Sequence, residues 1–167
     1  AHQGAGRLGA TVVPMSSGNT QRQIMMIKEL GATMLCCTPS YALFIADTAI
    51  EMGLDPKKDF TLKAGIHGAE AFSDQFRKNL EDKLGYKVYD VYGLTEVMGP
   101  GVAMECDEQD GLHVAEDHFF VEILDPETHE PVPDGEWGEL VITTLRKQGA
   151  PLIRYRTHDL SRILTGS

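Results

Sequence analysis

Two short stretches of this chain set polar side chains where a ligand could meet them: "GIHGAE" at residues 65–70 and "DVYGLTE" at residues 90–96. Each lies at the end of an apolar run of strand type, and in open α/β sheets ligands bind outside the carboxyl ends of strands. Gly65 and Gly68 allow close backbone approach to a flat ligand, Tyr92 offers a stacking face, and Asp90 can accept from an exocyclic amine. Thr95 brings a hydroxyl for a phosphate oxygen, and Glu96 a hard oxygen donor of the kind Mg²⁺ takes. Together these types fit adenine plus phosphate. Singly, Tyr92 at a strand end is more often a half-buried packing residue, and a lone Thr-Glu pair more often a helix start with a capping box.

Farther along, "YRTHDL" carries Asp159, a carboxylate able to hold both hydroxyls of a ribose; its plainer reading is an ion pair with Arg154, Arg156 or Arg162. Cys106, His113 and His118 supply a thiol and two imidazoles close in sequence, a candidate zinc set of irregular spacing and without an evident fourth ligand. "PMSSGNTQRQ" resembles a phosphate loop but lacks the second glycine and the lysine, so it reads as a turn and helix cap. "GAGRLG" at residues 4–9 is a partial dinucleotide fingerprint that precedes a strand pattern instead of following one.

The elements that must carry these loops follow from hydrophobic periodicity. Residues 9–90 alternate short apolar runs with helical patterns, the signature of βαβ units on a mainly parallel sheet. Strands are predicted at "ATVVPM", "TMLCC", "TLKAGIHG" and "YKVYDVY". Helices are predicted at "TQRQIMMIKELG" with Thr20 near its N-cap, at "PSYALFIADTAIEMG" with Pro39 in the first turn, and at "SDQFRKNLEDKLG" capped by Ser73. Past Gly101 the helical period disappears, and "GLHVAEDHFFVEILD", "GELVITTL" and "PLIRYRTHDLSRIL" alternate with the turn clusters "PETHEP" and "PVPDGEWG". The expected fold class is therefore α/β, a mainly parallel βαβ sheet layer over residues 1–104 followed by a small antiparallel β subdomain over 105–167. No internal repeat or low-complexity tract is present.

Composition narrows the function classes. At 167 residues, with 42% hydrophobic and 24% charged residues, the chain has ordinary globular usage and buries roughly two thirds of its unfolded surface. Fifteen basic against 25 acidic residues leave a net charge of −10, which opposes attraction to nucleic acid and to anionic membranes. A small anionic ligand is still allowed, since backbone amides and a metal ion can hold phosphate without a basic surface. Cys36 and Cys37 sit inside an apolar run and read as buried free thiols; with Cys106 they make an odd number, which points to a reducing, cytoplasmic setting. The opening "AHQGAGRLGA" has neither Met nor the blocks of a signal peptide, and its Gly-rich loop suggests a piece of a longer protein.

Four motifs in this order and spacing, "GAE", "VYGLTE", "PDGEWGEL" and "PLIRYRTHDL", resemble the adenylate-forming enzymes and, within them, the phenylacetate-coenzyme A ligases. "CCTPSYA", "GPGVAMEC", "EDHFFVEILDPET" and "ELVITTL" extend the resemblance over almost the whole chain. It implies part of the N-terminal domain of such a ligase, with a Ser/Thr/Gly/Lys phosphate loop upstream and a mobile C-terminal lid domain with its adenylation lysine downstream, both outside this chain. It also implies roles: Gly68, Ala69 and Glu70 around adenine, Asp90 at its amino group, Tyr92 stacked on the ring with Gly93 beside it, Thr95 at phosphate, Glu96 on Mg²⁺ and Asp159 on ribose. His158 stands where the wider superfamily usually has glycine.

The implied reaction has two halves: a carboxylate attacks the α-phosphorus of ATP to give an acyl-adenylate, and the thiol of coenzyme A then displaces AMP. Thr95 and Glu96 are the catalytic candidates, and Tyr41, Ile66, Ala69 and Gly93 the candidates for the wall around an aryl acid, expected to be phenylacetate. The alternatives are a ligase for another aryl or indolyl acid and a non-catalytic nucleotide-binding module. The expected ligands are ATP or AMP, Mg²⁺, coenzyme A and the acid, with zinc carried by the Cys/His set; a homodimer is allowed, and the isolated chain is expected to be inactive.

Overall fold

The computed structural model describes residues 2–16 and 18–165. The chain divides into two compact units, one running to Val91 and the other starting at Tyr92. The sequence put the change of texture later, between residues 104 and 105.

In the first unit, helices α1 (His2–Arg7), α2 (Thr20–Glu29), α3 (Pro39–Glu51), α4 (Pro56–Asp59) and α5 (Asp74–Leu84) accompany strands β1 (Met34–Cys37), β2 (Ala64–Gly68) and β3 (Lys87–Tyr92). The strands are parallel, with Met34 opposite Ala64 through Cys37 opposite His67, and Ala64 opposite Lys87 through Gly68 opposite Val91. Local chemistry sets the helix ends. The Asn19 side chain accepts from the Arg22 N–H at the start of α2, so the cap is one residue earlier than Thr20. Pro39 occupies the first turn of α3, and the Ser73 hydroxyl accepts from the Phe76 N–H at the start of α5. Ala42, Ile45, Ala46 and Ala49 form an i, i+3, i+4, i+7 stripe on α3 that is wholly buried with Ile24, Leu80, Leu84 and Val88. Each such Ile, Leu or Val contributes about 1.5–3 kcal/mol when removed from water.

Two predicted elements differ. "ATVVPM" forms no strand: residues 10–16 have no regular structure and Val13 is exposed. An apolar run becomes a strand only when a ladder partner exists, and none lies among the described residues; Pro14 also lacks an N–H to donate. The Gly-rich opening contains α1, not only loop. The residues before "TLKAGIHG" add α4, where the Asp55 carboxylate accepts from the Lys57 N–H ahead of Pro56. A further correction concerns the thiols, for Cys36 is exposed and Cys37 only half-buried, because β1 is the outer strand of the sheet.

In the second unit, the Tyr92 carbonyl accepts from the Val102 N–H at 2.9 Å, leading into β4 (Ala103–Met104), which pairs antiparallel with β5 (His113–Val114) and extends the strand order to β1-β2-β3-β4-β5. A separate antiparallel sheet follows, β6 (Phe119–Leu124), β7 (Gly138–Thr144) and β8 (Tyr155–Ser161). Its first turn closes on the Asp125 carboxylate, which accepts from the Glu127 and Thr128 N–H groups. Val97, Val102, Phe119 and Ile142 form the buried centre of this unit. The α/β fold class, a mixed and mostly parallel sheet followed by an antiparallel one, is as the sequence implies. No helix among the described residues is long and apolar enough to cross a membrane.

Candidate functional site

In the first unit the end of β2 is shaped by exclusion. A Cβ on Gly68 would lie 2.2 Å from the Val91 carbonyl oxygen and 2.8 Å from its Cγ1, so the backbone of β2 meets that of β3 only because Gly68 has no side chain. Gly65 is similarly confined: its Cβ would lie 2.3 Å from both the His67 ring and the Tyr86 ring. The chain then turns through Ala69 at φ 66°, a conformation rare for non-glycine residues. Glu70 follows with its carboxylate on the first turn of α3, accepting from the Ser40 N–H at 3.2 Å and the Ser40 hydroxyl at 2.8 Å. A carboxylate is stabilised there by unpaired amides and the helix dipole.

Beneath this loop His67 is fully buried. Its Nδ1 lies 3.0 Å from the Cys37 carbonyl, which can only accept, so Nδ1 carries the proton and Nε2 accepts from the Tyr86 hydroxyl at 2.9 Å. Burial holds the imidazole below its ordinary value and the Cys37 thiol far up, at about 12, with Cys36 and Glu70 adding to the latter. Asp90 is half-buried in β3 opposite His67 in the register. Ile66 is half-buried between Cys36 and Tyr89, and Tyr41 on α3 is half-buried with its hydroxyl 3.0 Å from that of Thr20.

In the second unit the Tyr92 hydroxyl donates to the Asp159 carboxylate at 2.5 Å. Burial first, and then the hydrogen bond to Asp159, push the Tyr92 hydroxyl above its ordinary range, so it remains a donor. The plainer reading of Asp159 is overturned. Arg154 pairs with Glu122, Arg156 with Glu139, and Arg162 lies over the Trp137 ring at 5.1 Å. Asp159 is exposed and pairs with none of them.

Thr95 and Glu96 lie exposed on a single helical turn, in which the Leu94 carbonyl accepts from the Val97 and Met98 N–H groups and Val97 anchors the turn in the core. The Lys147 ammonium donates to the Glu96 backbone carbonyl at 2.5 Å, and the Glu96 carboxylate makes no side-chain hydrogen bond or ion pair among the described residues. A Cβ on Gly93 would lie 3.0 Å from the Gly101 nitrogen and 3.2 Å from the Pro100 Cα, so glycine permits the loop to close on itself.

The zinc candidate fails on geometry: among the described residues no three His, Cys, Asp or Glu side chains are placed to hold a metal ion, so Cys106, His113 and His118 are not a ligand set. Residues close in sequence were separated because Cys106 and the two histidines lie on different turns and strands, with His113 facing solvent and His118 beside Asp117.

Sequence reasoning passed over Glu139. It is 3% exposed in β7 and accepts from the Arg156 guanidinium at 2.7 and 2.5 Å and from the His158 N–H at 3.1 Å, with the His158 ring also at 3.1 Å. The Arg156 hydrogen bonds hold this carboxyl below its ordinary value of 4.5, against the opposing effect of burial. The available signal was an acidic residue inside the apolar run "GELVITT".

A family model described as AMP-binding enzyme matches residues 4–145. Phenylacetate-coenzyme A ligase of Pseudomonas putida is 51% identical over 168 residues, covering 100% of this chain and 38% of that protein. The enzyme of the same name from Escherichia coli K12 is 49% identical over 169 residues, again covering 100% of this chain and 38% of its relative. The chain thus spans little more than a third of the length of these curated relatives. Among solved structures, an open conformation of 2-hydroxyisobutyryl-CoA ligase in complex with 2-HIB-AMP and CoA superposes with a TM-score of 0.90 at 28% identity, covering 95% of this chain and 36% of that one.

Proposed function

Because the chain belongs to the AMP-binding enzyme family, we propose that it is the nucleotide-binding portion of a cytoplasmic AMP-forming aryl acid–CoA ligase that activates phenylacetate as an acyl-adenylate and passes it to coenzyme A. The observation that carries this reading is the Tyr92–Asp159 contact, which joins a stacking ring and a diol-binding carboxylate from strands far apart in sequence. In the complete protein, residues 105–167 form a small β-rich subdomain ahead of the lid.

The division of labour follows from the side chains. In the first unit, Gly68 and Ala69 present backbone edges to the purine, Glu70 is held back by Ser40, and Asp90 accepts from the exocyclic amine. Tyr41, Ile66 and Ala69 contribute apolar surface to the acid. In the second unit, Tyr92 covers the ring, Gly93 keeps the loop close to it, and Asp159 grips the ribose hydroxyls by charge-assisted bonds. Thr95 donates its hydroxyl to a phosphate oxygen, stabilising charge that grows as the acid attacks.

The exposed carboxylate of Glu96, without a side-chain partner among the described residues, suits Mg²⁺, which prefers one or two carboxylates plus substrate phosphates. When bound there, the ion would neutralise phosphate charge. Everything else asked of the protein is alignment, which in well-oriented reactions removes about 7–11 kcal/mol of barrier.

The test is an assay of the full-length protein with ATP, coenzyme A and a panel of aryl and indolyl acids, following AMP and thioester. Phenylacetate is expected to give the highest kcat/KM. Failure of every acid to release AMP would overturn the ligase reading, and preference for another acid would overturn the substrate.

A further inference from the structure

The Asp159 carboxylate does not stand on a regular strand. Along β7 and β8 the register runs from Glu139 opposite Leu160 to Val141 opposite Arg156, so Thr157, His158 and Asp159 together face Leu140 alone. This is a bulge, and bulges re-aim side chains beside functional sites. His158 at its centre has φ 63°, a left-handed conformation uncommon for a non-glycine residue and held at some cost by its surroundings.

Two groups impose it. The Thr157 hydroxyl donates to the Leu140 carbonyl at 2.8 Å and accepts from the Asp159 N–H at 3.1 Å. The buried Glu139 carboxylate divides its oxygens: Oε2 takes the Arg156 guanidinium, and Oε1 takes the His158 N–H, with the His158 ring at 3.1 Å. It therefore clamps the residues on both sides of Thr157 and fixes the direction in which Asp159 leaves the bulge. Arg156 is itself steadied by His129 Nε2 at 2.8 Å.

We infer that Glu139 is a positioning residue for nucleotide recognition: from inside the β-sheet it holds the strained bulge that aims Asp159 at the ribose. This rests on the assignment of Asp159 to the ribose, and the two can fail separately.

In the full-length protein, ATP affinity is measured by calorimetry for wild type, Asp159→Ala, Glu139→Gln and the double variant, and again with an ATP analogue lacking both ribose hydroxyls. Glu139→Gln is expected to weaken ATP roughly ten-fold, the scale of one lost charge-assisted bond. It should leave affinity for the deoxygenated analogue unchanged and add nothing in the double variant. Glycine tolerates φ 63° without strain, so adding His158→Gly to Glu139→Gln should restore part of the loss. If Glu139→Gln does not fold, Arg156→Lys removes the same fork and should give the same pattern.

Equal weakening of ATP and the analogue, or additive losses in the double variant, would show a merely structural glutamate and overturn the inference. Full ATP affinity in Glu139→Gln alongside loss in Asp159→Ala would overturn it too. Unchanged affinity in Asp159→Ala would instead overturn the ribose assignment on which it stands.

Discussion

The phenol of Tyr92 and the carboxylate of Asp159, 67 residues apart in the chain, meet across 2.5 Å at the ends of β3 and the β8 bulge. The contact couples a ring suited to stacking with an acceptor suited to a diol, so each side chain limits where the other can point.

That coupling separates ring from hydroxyl. Tyr92→Phe keeps the aromatic face and loses the donor, and is expected to weaken ATP binding by about 1 kcal/mol, roughly five-fold. Tyr92→Ala loses both and should cost about 1–3 kcal/mol more, the worth of base–aromatic stacking. Calorimetry with ATP and Mg²⁺ on the full-length protein distinguishes them; equal losses for the two variants would remove stacking from the role of Tyr92.

Gly68 has no room for a methyl group, since its neighbour at 2.2 Å is a backbone oxygen that cannot swing aside. Gly68→Ala is expected to destabilise by about 1–3 kcal/mol in urea unfolding. Gly149, with nothing within 4 Å of its would-be Cβ, serves as control, and Gly149→Ala should stay within about 0.5 kcal/mol of wild type.

His67 gives a pH window. Its folded value lies below the ordinary 6.5 because burial disfavours the cation, so the unfolded chain takes up a proton that the folded chain refuses. Stability from the neutral ring is complete above 6.5 and declines as pH falls from there toward the folded value. His67→Gln, which cannot titrate, should lower stability at pH 8 yet show a flatter profile between pH 7 and 5 in thermal unfolding. An identical slope in both proteins would assign the pH dependence elsewhere.

The thiols should sort by environment. With its value pushed up to about 12, Cys37 carries only about one thiolate in ten thousand at pH 8. Exposed Cys106 is expected to be alkylated first under native conditions, and Cys37 only after unfolding. Peptide mapping after iodoacetamide checks this; native labelling of Cys37 at the rate of Cys106 would contradict it.

Most of what periodicity could reach was legible. The α3 helix with its Pro39 start and the Ser73 cap rest on side chains interacting within a turn of their own positions, and these appear where the sequence puts them. "ATVVPM" was misread because a strand is a property of two segments: β propensity shows that a run can pair, and only the fold supplies the partner. The cysteines and histidines of the zinc candidate failed likewise, since nearness in sequence does not put ligands at one point.

By itself the sequence determined the family, through motifs whose order and spacing survive without coordinates, and with it the α/β class and the residue types offered to a nucleotide. Tertiary structure alone decided that Asp159 is spared by three nearby arginines and bonded to Tyr92, and that a buried glutamate governs the bulge from which it projects. The reason is physical. Helix caps and apolar periods act over a few residues, whereas ion pairing is a competition among charges that distant strands bring together, and its winner is settled by distance and burial in the folded chain.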